Sequence, residues 1–357
     1  MNEKKTTLKD IAKLVNLSPS TVSLAINNKP GLSKDTRERI LTVARALNFT
    51  PNIAARSLVT QRSNSISLLI TTMKDSVFSS IADGANKVLR EKGYLLSIMP
   101  TEADENLETR EIRAIRARGF DGVITCSSLL DNDNSKKLAD LGIPVIWVLR
   151  RCFNPFEVDC VGVNNRKGAY MAVEHLIRLG HKNIGLIAGP GNTATGSERL
   201  EGALTAIKDY RLILPDELIL AGNFLRNSGY EAASRFLELE KGFQPTAIFA
   251  ANDDMAIGAL NALVDNGLRV PQDIALVGFG DIAAASIRLL NITTVAQYPY
   301  EMGRIAAERL VDRIEKKGNH EEPIRVILDP ELIIRESCGF NLAKRYLVEK
   351  AKERHFP

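Results

Sequence analysis

The chain is poor in the side chains that most often carry covalent or metal chemistry. Its 357 residues include only four cysteines and four histidines. The cysteines form no C-x-x-C pair, and no histidine stands beside them at the spacing of metal ligands. We therefore expect core or free thiols, no metal site and no cofactor.

Signals for membrane insertion and export are also missing. No apolar run is long enough to span a membrane, and the first residues, M-N-E-K-K-T-T, contain no apolar segment typical of a signal peptide. We expect a cytoplasmic protein without a membrane partner. Its length exceeds one typical hydrophobic core and suggests two or three domains.

Two glycine-rich stretches invite an enzymatic interpretation. They are G-P-G-N-T-A-T-G at 189–196 and G-F-G-D-I-A at 278–283. The first has the wrong spacing for the dinucleotide motif G-x-G-x-x-G, and neither is followed by a convincing acidic residue about twenty positions on. The chain also lacks a phosphate-binding loop, a nucleophile elbow and an H-E-x-x-H motif. We interpret both stretches as strand-to-helix loops lining a cleft, with dinucleotide binding as the less favoured alternative, and expect no enzymatic activity.

Positive charge is concentrated at the N-terminus. Residues 1–62 contain 11 lysines and arginines against 4 acidic residues, whereas the rest of the chain contains 36 against 39. A basic head on a slightly acidic body favours a polyanionic partner such as DNA.

The basic head has the pattern of two short helices joined by a tight turn, followed by a third helix. Apolar residues recur at helical spacing over 8–15 and resume over 22–26. Ser18 can cap the second helix with Pro19 at its first position, and Ser33 can cap the third. In a helix-turn-helix, the second helix reaches base edges in the major groove. An ordinary helical hairpin with a polar surface is the alternative, but the charge favours DNA binding.

Beyond the head, the chain alternates short apolar runs with helical patterns. Strands this apolar on both faces are typical of parallel sheets covered by helices, so we predict an α/β body of two doubly wound lobes. The predicted strands are 65–70, 94–99, 122–126, 144–149, 158–163, 183–188, 247–251 and 274–279. The predicted helices include 80–92, 168–179, 197–210 and 255–266.

Two segments of the head carry a family resemblance. T-L-K-D-I-A-K-L-V-N-L-S-P-S-T-V-S-L-A-I-N-N-K-P begins at Thr7, and T-R-E-R-I-L-T-V-A-R-A-L-N-F-T-P-N-I-A-A-R-S-L begins at Thr36. They closely resemble the DNA-binding head of the LacI/GalR family of bacterial transcription regulators, densely over residues 7–70 and more weakly to Glu336. The resemblance implies a three-helix helix-turn-helix head, a hinge helix and a two-lobed body like that of periplasmic binding proteins, with doubly wound parallel sheets.

The resemblance also implies domain boundaries. The helix-turn-helix domain would be 1–49, the hinge helix and linker 50–63, the effector-binding and dimerisation domain 64–340, and the tail 341–357. Because the family's chain crosses between the lobes three times, lobe 1 would comprise about 64–161 plus 293–322, and lobe 2 about 162–292 plus 323–340. The tail is too short for three or four heptads, so we expect a homodimer rather than a coiled-coil tetramer.

The resemblance assigns DNA contacts to the head. Pro19, Ser20, Ser23 and Leu24 would face bases, while Thr7, Thr21 and Asn27, with the lysines, would hold phosphates. Phosphate contacts position the protein, whereas base contacts specify the sequence. Many relatives have arginine at the position of Leu24, and arginine can pair with guanine, whereas leucine offers only apolar contact, for instance to a thymine methyl. We expect a half-site that differs from that of the arginine-bearing relatives.

The segment after Pro51 is the predicted hinge. Residues 53–59 could form two helical turns, but so short a helix is marginal alone in water. In the resembling family, this segment folds on DNA against its twin, and a leucine enters the minor groove and kinks the duplex. Leu58 matches that leucine, with Asn52, Ala55, Arg56 and Val59 around it. A solvated linker is the alternative from the residues alone.

The resemblance supplies candidates for an effector site between the lobes, where ligands of open α/β sheets bind. They are Ser76, Phe78, Arg150, Thr195, Arg199, Phe224, Asn252, Asp281 and Gln297. Arg199 matches an arginine that commonly holds ligand oxygens, and Asn252 belongs to the family's cleft motif. The alternatives are a surface charge for Arg199 and core packing for Phe78.

Departures from the family concern the effector's chemistry. Many relatives have aspartates at the positions of Leu149 and Gly280. Here Arg150 and Arg151 follow Leu149, and Asp281 follows Gly280. Because arginine pairs bidentately with carboxylate and phosphate, we expect an effector that is a sugar derivative or another metabolite carrying one of these groups. Solvent-facing Arg150 and Arg151 are the alternative.

Together, these features predict a ligand-responsive transcriptional regulator, a repressor, that binds a pseudo-palindromic operator in double-stranded DNA as a dimer on the bacterial nucleoid. A small metabolite between the lobes would shift their arrangement, alter the hinge helices and change DNA affinity. The alternative is a cytosolic small-molecule-binding module without sequence-specific DNA binding.

Overall fold

The computed structural model describes residues 6–49, 62–126, 133–149, 158–316 and 322–340. The chain divides into two compact units, Met1–Ser63 and Asn64–Pro357. Each unit has its own hydrophobic core. Among the described residues, no helix combines the length and the apolar composition needed to cross a membrane.

Three helices build the first unit. They are α1 (Leu8–Val15), α2 (Pro19–Ile26) and α3 (Lys34–Ala46). Their apolar faces meet around Ile11, Val22 and Ile40, which have no exposed surface. Ser18 and Ser33 cap α2 and α3 as the sequence predicts, because each hydroxyl accepts a hydrogen bond from the backbone N–H three residues further on.

The second unit alternates strands and helices. In chain order, these are β1 (Ser65–Ile70), α4 (Ser76–Glu91), β2 (Leu95–Pro100), α5 (Glu105–Arg118), β3 (Gly122–Thr125), α6 (Asp133–Ala139), β4 (Val145–Val148), β5 (Asp159–Val163), α7 (Asn165–Arg178), β6 (Ile184–Ala188), α8 (Ala194–Asp209), β7 (Ile219–Ala221), α9 (Arg226–Glu238), β8 (Ala247–Ala250), α10 (Asp253–Asp265), β9 (Ala275–Val277), β10 (Thr294–Ala296), α11 (Pro299–Glu315), β11 (Arg325–Leu328) and β12 (Glu331–Ile333). Every strand and helix that the sequence predicts for the body has a counterpart here.

The strands form two parallel sheets and one antiparallel pair. Six strands pair in the order β11-β5-β4-β3-β1-β2, and four pair in the order β7-β6-β8-β9. Strands β10 and β12 pair antiparallel. Strands β3, β5, β6 and β8 are buried along their whole length, which explains why they read as continuous apolar runs. Each sheet with its helices makes one lobe.

The strand pairing corrects the predicted lobe boundaries. All of β5, through Val163, pairs within the first sheet beside β4 or β11, beyond the predicted boundary at residue 161. The prediction that 323–340 belongs to lobe 2 is wrong for β11, which pairs in parallel with β5. Strand β11 was not predicted: it has four residues, begins with Arg325, and its side chains are alternately exposed and half-buried rather than buried throughout.

The cysteines differ in state. Cys126 and Cys338 are buried free thiols, as expected. Cys160 is disulfide-bonded, so the expectation of a free thiol is wrong at this position. Disulfide formation depends on the approach of two Cα atoms in the fold, which the absence of a C-x-x-C pair does not exclude.

Candidate DNA-binding and effector-binding sites

The recognition helix α2 presents polar groups at its start. The predicted base contacts comprise exposed Pro19 and Ser20 and half-buried Ser23 and Leu24. The Ser18 hydroxyl lies 2.6 Å from Ser20 Oγ and 2.8 Å from Thr21 Oγ1. These contacts orient three hydroxyl groups at the N-terminus of α2, where hydroxyls can donate to or accept from base edges.

The predicted phosphate contacts are oriented by bonds within the head. Thr7 caps α1 in a reciprocal capping box, and its hydroxyl donates to Asp10 Oδ2 at 2.6 Å. A phosphate contact by that hydroxyl would have to replace the bond to Asp10. Asn27 follows α2, and its Nδ2 donates to the Ser23 carbonyl at 2.9 Å. Asn27 is exposed, and its Nδ2 also donates to Ser23 Oγ at 3.2 Å, so a phosphate contact by this amide would compete with bonds inside the head.

Arg199 on α8 is the centre of the candidate effector site. It is 4% exposed, so the alternative of a surface charge is wrong. Its Nε donates to Asn165 Oδ1 at 2.9 Å, and its two Nη atoms donate to Ala251 O at 2.7 Å and Gln297 Oε1 at 2.8 Å. Its Cζ lies 3.7 Å from the ring centroid of Phe279, a cation–π contact. Burial lowers the pKa of Arg199 to about 10, so it stays protonated at neutral pH.

Three more predicted residues lie near Arg199. Its Cζ is 6.0 Å from the ring centroid of Phe224. Asn252 Nδ2 donates to the Phe224 carbonyl at 2.8 Å, and its Oδ1 caps α10 by accepting from Met255 N at 2.9 Å. Asn252 therefore holds Phe224 in place. Thr195 lies one helical turn before Arg199 on α8 and is 8% exposed.

Sequence reasoning missed Asn165 and Phe279, which contact Arg199 directly. Phe279 lies in the G-F-G-D-I-A stretch. The prediction that this stretch lines a cleft was the signal that could have pointed to Phe279. Asn165 begins α7 just after the buried strand β5. Polar residues at the carboxyl ends of parallel strands are the places to search for ligand contacts.

The first lobe contributes the N-terminus of α4. Asp75 caps this helix by accepting from Val77 N at 2.9 Å. Burial raises the pKa of Asp75, and nearby Arg199 partly opposes that shift. The Ser76 hydroxyl is buried and has no hydrogen-bond partner among the described residues. A buried hydroxyl without a partner is unfavourable, so a ligand oxygen here would satisfy it. Phe78 is 8% exposed and packs into the core of the lobe, as the alternative for this residue states.

Asp281 is already paired. Arg335 Nη2 donates to Asp281 Oδ1 at 2.6 Å, and Arg335 Nη1 donates to the Ile292 carbonyl at 2.8 Å. This ion pair ties the loop after β9 to the segment after β12. An effector contact by Asp281 would have to share the carboxylate with Arg335.

Six predicted site residues lie outside the described residues: Asn52, Ala55, Arg56, Leu58, Val59 and Arg150. Their roles stay predictions from the resemblance.

Asp253 is a buried carboxylate near Arg199 that also contacts Thr294, the first residue of β10. Thr294 Oγ1 donates to its Oδ1 at 2.5 Å, and Ile282 N donates to its Oδ2 at 2.9 Å. Gly280 packs against this carboxylate and against Gln297. Burial raises the pKa of Asp253 to about 6, although both hydrogen bonds oppose the shift.

We expect Asp253→Asn to remove a pH dependence of body stability. An unfolded aspartate titrates near pH 3.9, whereas the folded pKa is about 6. Between these values the folded state binds more protons, so this group makes the wild type less stable as pH rises from about 4 to about 6, by up to roughly 3 kcal/mol. Asparagine does not titrate and can keep both bonds by accepting from Ile282 N and donating to Thr294 Oγ1. Urea unfolding across this pH range, followed by the fluorescence of Trp147, the single tryptophan, measures the difference.

Thr294→Val provides the comparison for this prediction. It removes the hydroxyl bond that lowers the pKa of Asp253, so the stability loss should move to higher pH. Equal pH dependence in the wild type and Asp253→Asn would contradict the assignment.

The two units together define a DNA-binding regulator with a ligand-binding body. The model for bacterial regulatory proteins of the lacI family matches residues 7–52. The model for periplasmic binding proteins and the sugar-binding domain of the LacI family matches residues 63–336. The chain therefore belongs to the LacI family of bacterial transcriptional regulators, and the predicted family, fold class and regulatory function are confirmed.

Known relatives agree along nearly the whole chain. The repressor PurR of Haemophilus influenzae (strain PittEE) is 33% identical over 332 residues, covering 93% of this chain and 98% of PurR. The repressor ExuR of Bacillus subtilis (strain 168) is 33% identical over 336 residues, with the same coverage of 93% and 98%. Among solved structures, the Lac repressor dimer bound to operator and the anti-inducer ONPF has a TM-score of 0.82 at 26% identity, covering 94% of this chain and 99% of that one. The regulator CelR in complex with cellobiose has a TM-score of 0.71 at 30% identity, covering 93% and 100%.

Proposed function

We propose that this protein is a homodimeric repressor that acts in the cytoplasm, on the nucleoid. It binds a pseudo-palindromic operator, and a small metabolite bound between its lobes changes its affinity for DNA. The buried guanidinium of Arg199 carries the effector part of this proposal. Three of its five N–H groups donate to oxygens of the described residues, which leaves two for a ligand.

The contacts of Arg199 link the ligand site to the arrangement of the lobes. Arg199 and Asn165 belong to lobe 2, whereas Gln297 lies at the chain crossing just after β10. A ligand that meets Arg199 on one side and the Ser76 hydroxyl on the other favours a single spacing of the lobes. Because coupling is reciprocal, a ligand that weakens DNA binding is itself bound more weakly in the presence of DNA.

Exposed apolar residues on the body support the proposed dimer. Strand β2 lies at the edge of the first sheet, where Leu95 is 68% exposed and Ile98 is 40% exposed. In the second lobe, Val264 is 58%, Ile287 51% and Leu289 92% exposed. An apolar sheet edge invites pairing with another chain, and a twofold dimer buries such a surface against itself. The Lac repressor structure mentioned above is a dimer.

For the effector, we propose a sugar derivative or related metabolite carrying carboxylate or phosphate. The two remaining N–H groups of Arg199 suit an anionic oxygen pair, and Arg150 and Arg151 follow β4 in the sequence. A neutral sugar is the second candidate, because the carboxylates of Asp75 and Asp253 near Arg199 could accept sugar hydroxyls. Isothermal titration with a hexose, its uronic acid and its phosphate separates the two. Tight binding of the neutral hexose alone would exclude the anionic effector.

Selection of bound sequences from a random duplex pool, with full-length protein at near-physiological salt, tests the DNA-binding proposal. We expect enrichment of a twofold-symmetric site with a deformable central step. A cytosolic ligand-binding module with a basic head would enrich no sequence, with or without metabolites, although its non-specific binding would also weaken steeply with salt. No catalytic step is proposed.

A further inference from the structure

Two arginines of α3 reach across the head to the ends of the other helices. Arg37 Nη1 donates to the carbonyls of Ala25 at 3.2 Å and Leu24 at 3.4 Å, and its Nη2 donates to the carbonyl of Lys29. Arg39 Nη2 donates to the carbonyl of Val15, the last residue of α1, at 2.8 Å. One helix thus holds the C-terminal ends of both helices of the helix-turn-helix.

These contacts place a cation at the end of α2, which has none of its own. The last carbonyls of a helix have no partner within it, and the negative end of the helix dipole favours a nearby cation. Helix α2 has only eight residues and no basic residue in its last turn. Arg37 brings the charge from α3, and its N–H groups add to the bonds that the Leu24 and Ala25 carbonyls already accept from Lys29 N and Asn28 N. The same guanidinium also holds the turn after α2, because the Lys29 carbonyl accepts a hydrogen bond from it.

The same contacts compete with phosphate binding. Because both Nη atoms of Arg37 donate to carbonyls, only its Nε–H and one N–H of Nη2 stay available to a phosphate while these bonds persist. Arg37 is half-buried, unlike exposed Arg45 on the same helix. Within the part of the chain that the structure describes, the side chain of Arg45 bonds inside α3, where its Nε donates to the Leu41 carbonyl at 3.3 Å.

We propose that Arg37 and Arg39 are positioning residues, which fix the recognition helix α2 and helix α1 against α3 rather than holding DNA phosphates. The inference rests on the proposed DNA-binding function. It means that some basic residues of the head hold its helices together. The head therefore contacts fewer phosphates than its number of basic residues suggests.

Arg37→Lys in the full-length protein separates the two roles, because it keeps the charge but replaces the planar fork with a single ammonium group. We expect affinity for the duplex enriched by selection to fall by about tenfold. Affinity for a random-sequence duplex, and the slope of log affinity against log salt, should stay at the wild-type values. A phosphate-holding Arg37 predicts instead that Arg37→Lys changes the affinity for both duplexes by the same factor, and that result would overturn the proposal.

Arg37→Gln and Arg45→Gln form a matched pair on α3. Arg45→Gln removes a charge without a contact to α1 or α2, so it should weaken binding to both duplexes by the same factor. Arg37→Gln should weaken binding to the enriched duplex more than to the random one. An equal loss on both duplexes with a salt slope reduced by about 0.9 would identify Arg37 as a phosphate ligand.

Hydrogen exchange measured without DNA tests whether Arg37 holds the end of α2, even if the selection enriches no duplex. Backbone amides over 22–29 should exchange faster in both Arg37 variants than in the wild type and Arg45→Gln. Unchanged exchange in this segment would show that Arg37 does not hold the end of α2. Failure of the selection alone would refute only the DNA-binding proposal.

Discussion

Replacing Gly258 with alanine should destabilise the body by about 3 kcal/mol, because α9 and α10 touch backbone to backbone at this position. A Cβ on Gly258 would lie 1.9 Å from the Arg226 carbonyl oxygen and 2.9 Å from Tyr230 N. Neither atom is the end of a flexible side chain, so the helices themselves would have to separate. In an open helix the same change would stabilise by roughly 1 kcal/mol through helix propensity, so the expected sign is opposite to the usual one. Urea unfolding followed by Trp147 fluorescence measures the loss.

Gly242→Ala is the matched control for Gly258→Ala. Gly242 has no atom within 4 Å of the position where a Cβ would lie, and its φ is not in the left-handed region. We expect its stability to stay within about 0.5 kcal/mol of the wild type. If Gly258→Ala unfolded at the same urea concentration as Gly242→Ala, the close helix contact would be contradicted.

Arg199→Met should abolish the effector response. The substitution removes the buried charge and the N–H groups left for a ligand. Losing charged hydrogen bonds of this kind should weaken ligand binding by about a hundredfold or more. It also leaves the acceptor oxygens of Asn165, Ala251 and Gln297 without their donor. Each unsatisfied buried acceptor costs about 1–3 kcal/mol. Because removing a desolvated charge offsets part of this cost, we expect the free energy of unfolding to fall by roughly 2–4 kcal/mol.

The measurement for Arg199→Met uses the ligand that most raises the melting temperature of the wild type in a panel of sugars, sugar acids and sugar phosphates. Calorimetric titration of that ligand gives the affinity, and thermal unfolding gives the stability. Arg178→Met is the control, because Arg178 is an exposed arginine paired with Glu174, and such pairs contribute about 0–1 kcal/mol. Wild-type effector affinity in Arg199→Met would remove Arg199 from the site.

The helix caps and buried strands could be predicted because their causes are local. Ser18 and Pro19 start α2, and Ser33 starts α3, through hydrogen bonds to residues three positions away. Strands such as β3 and β6 are buried throughout, so their apolar runs are visible in the sequence. The strands β7, β10 and β12 were not predicted, because an apolar run of three residues does not distinguish a strand from a loop or a helix end.

The candidate effector site was predicted only in part, because its contacts join distant parts of the chain. Resemblance pointed to Arg199 and Gln297, which lie 98 positions apart and form one hydrogen bond. It did not point to Phe279, whose ring lies under the guanidinium. Nor did it indicate that Asp281 pairs with Arg335 or that Phe78 packs into the core.

The sequence by itself determined the basic helix-turn-helix head, the helix starts and the alternating strands and helices of the body, because charge, capping and hydrophobic periodicity act over a few residues. The tertiary structure alone decided that β11 joins the first sheet, that Arg37 clamps the end of α2 and that Arg199 is buried among protein oxygens. These outcomes depend on which distant backbone groups the fold brings within hydrogen-bond distance, and no local pattern contains that information.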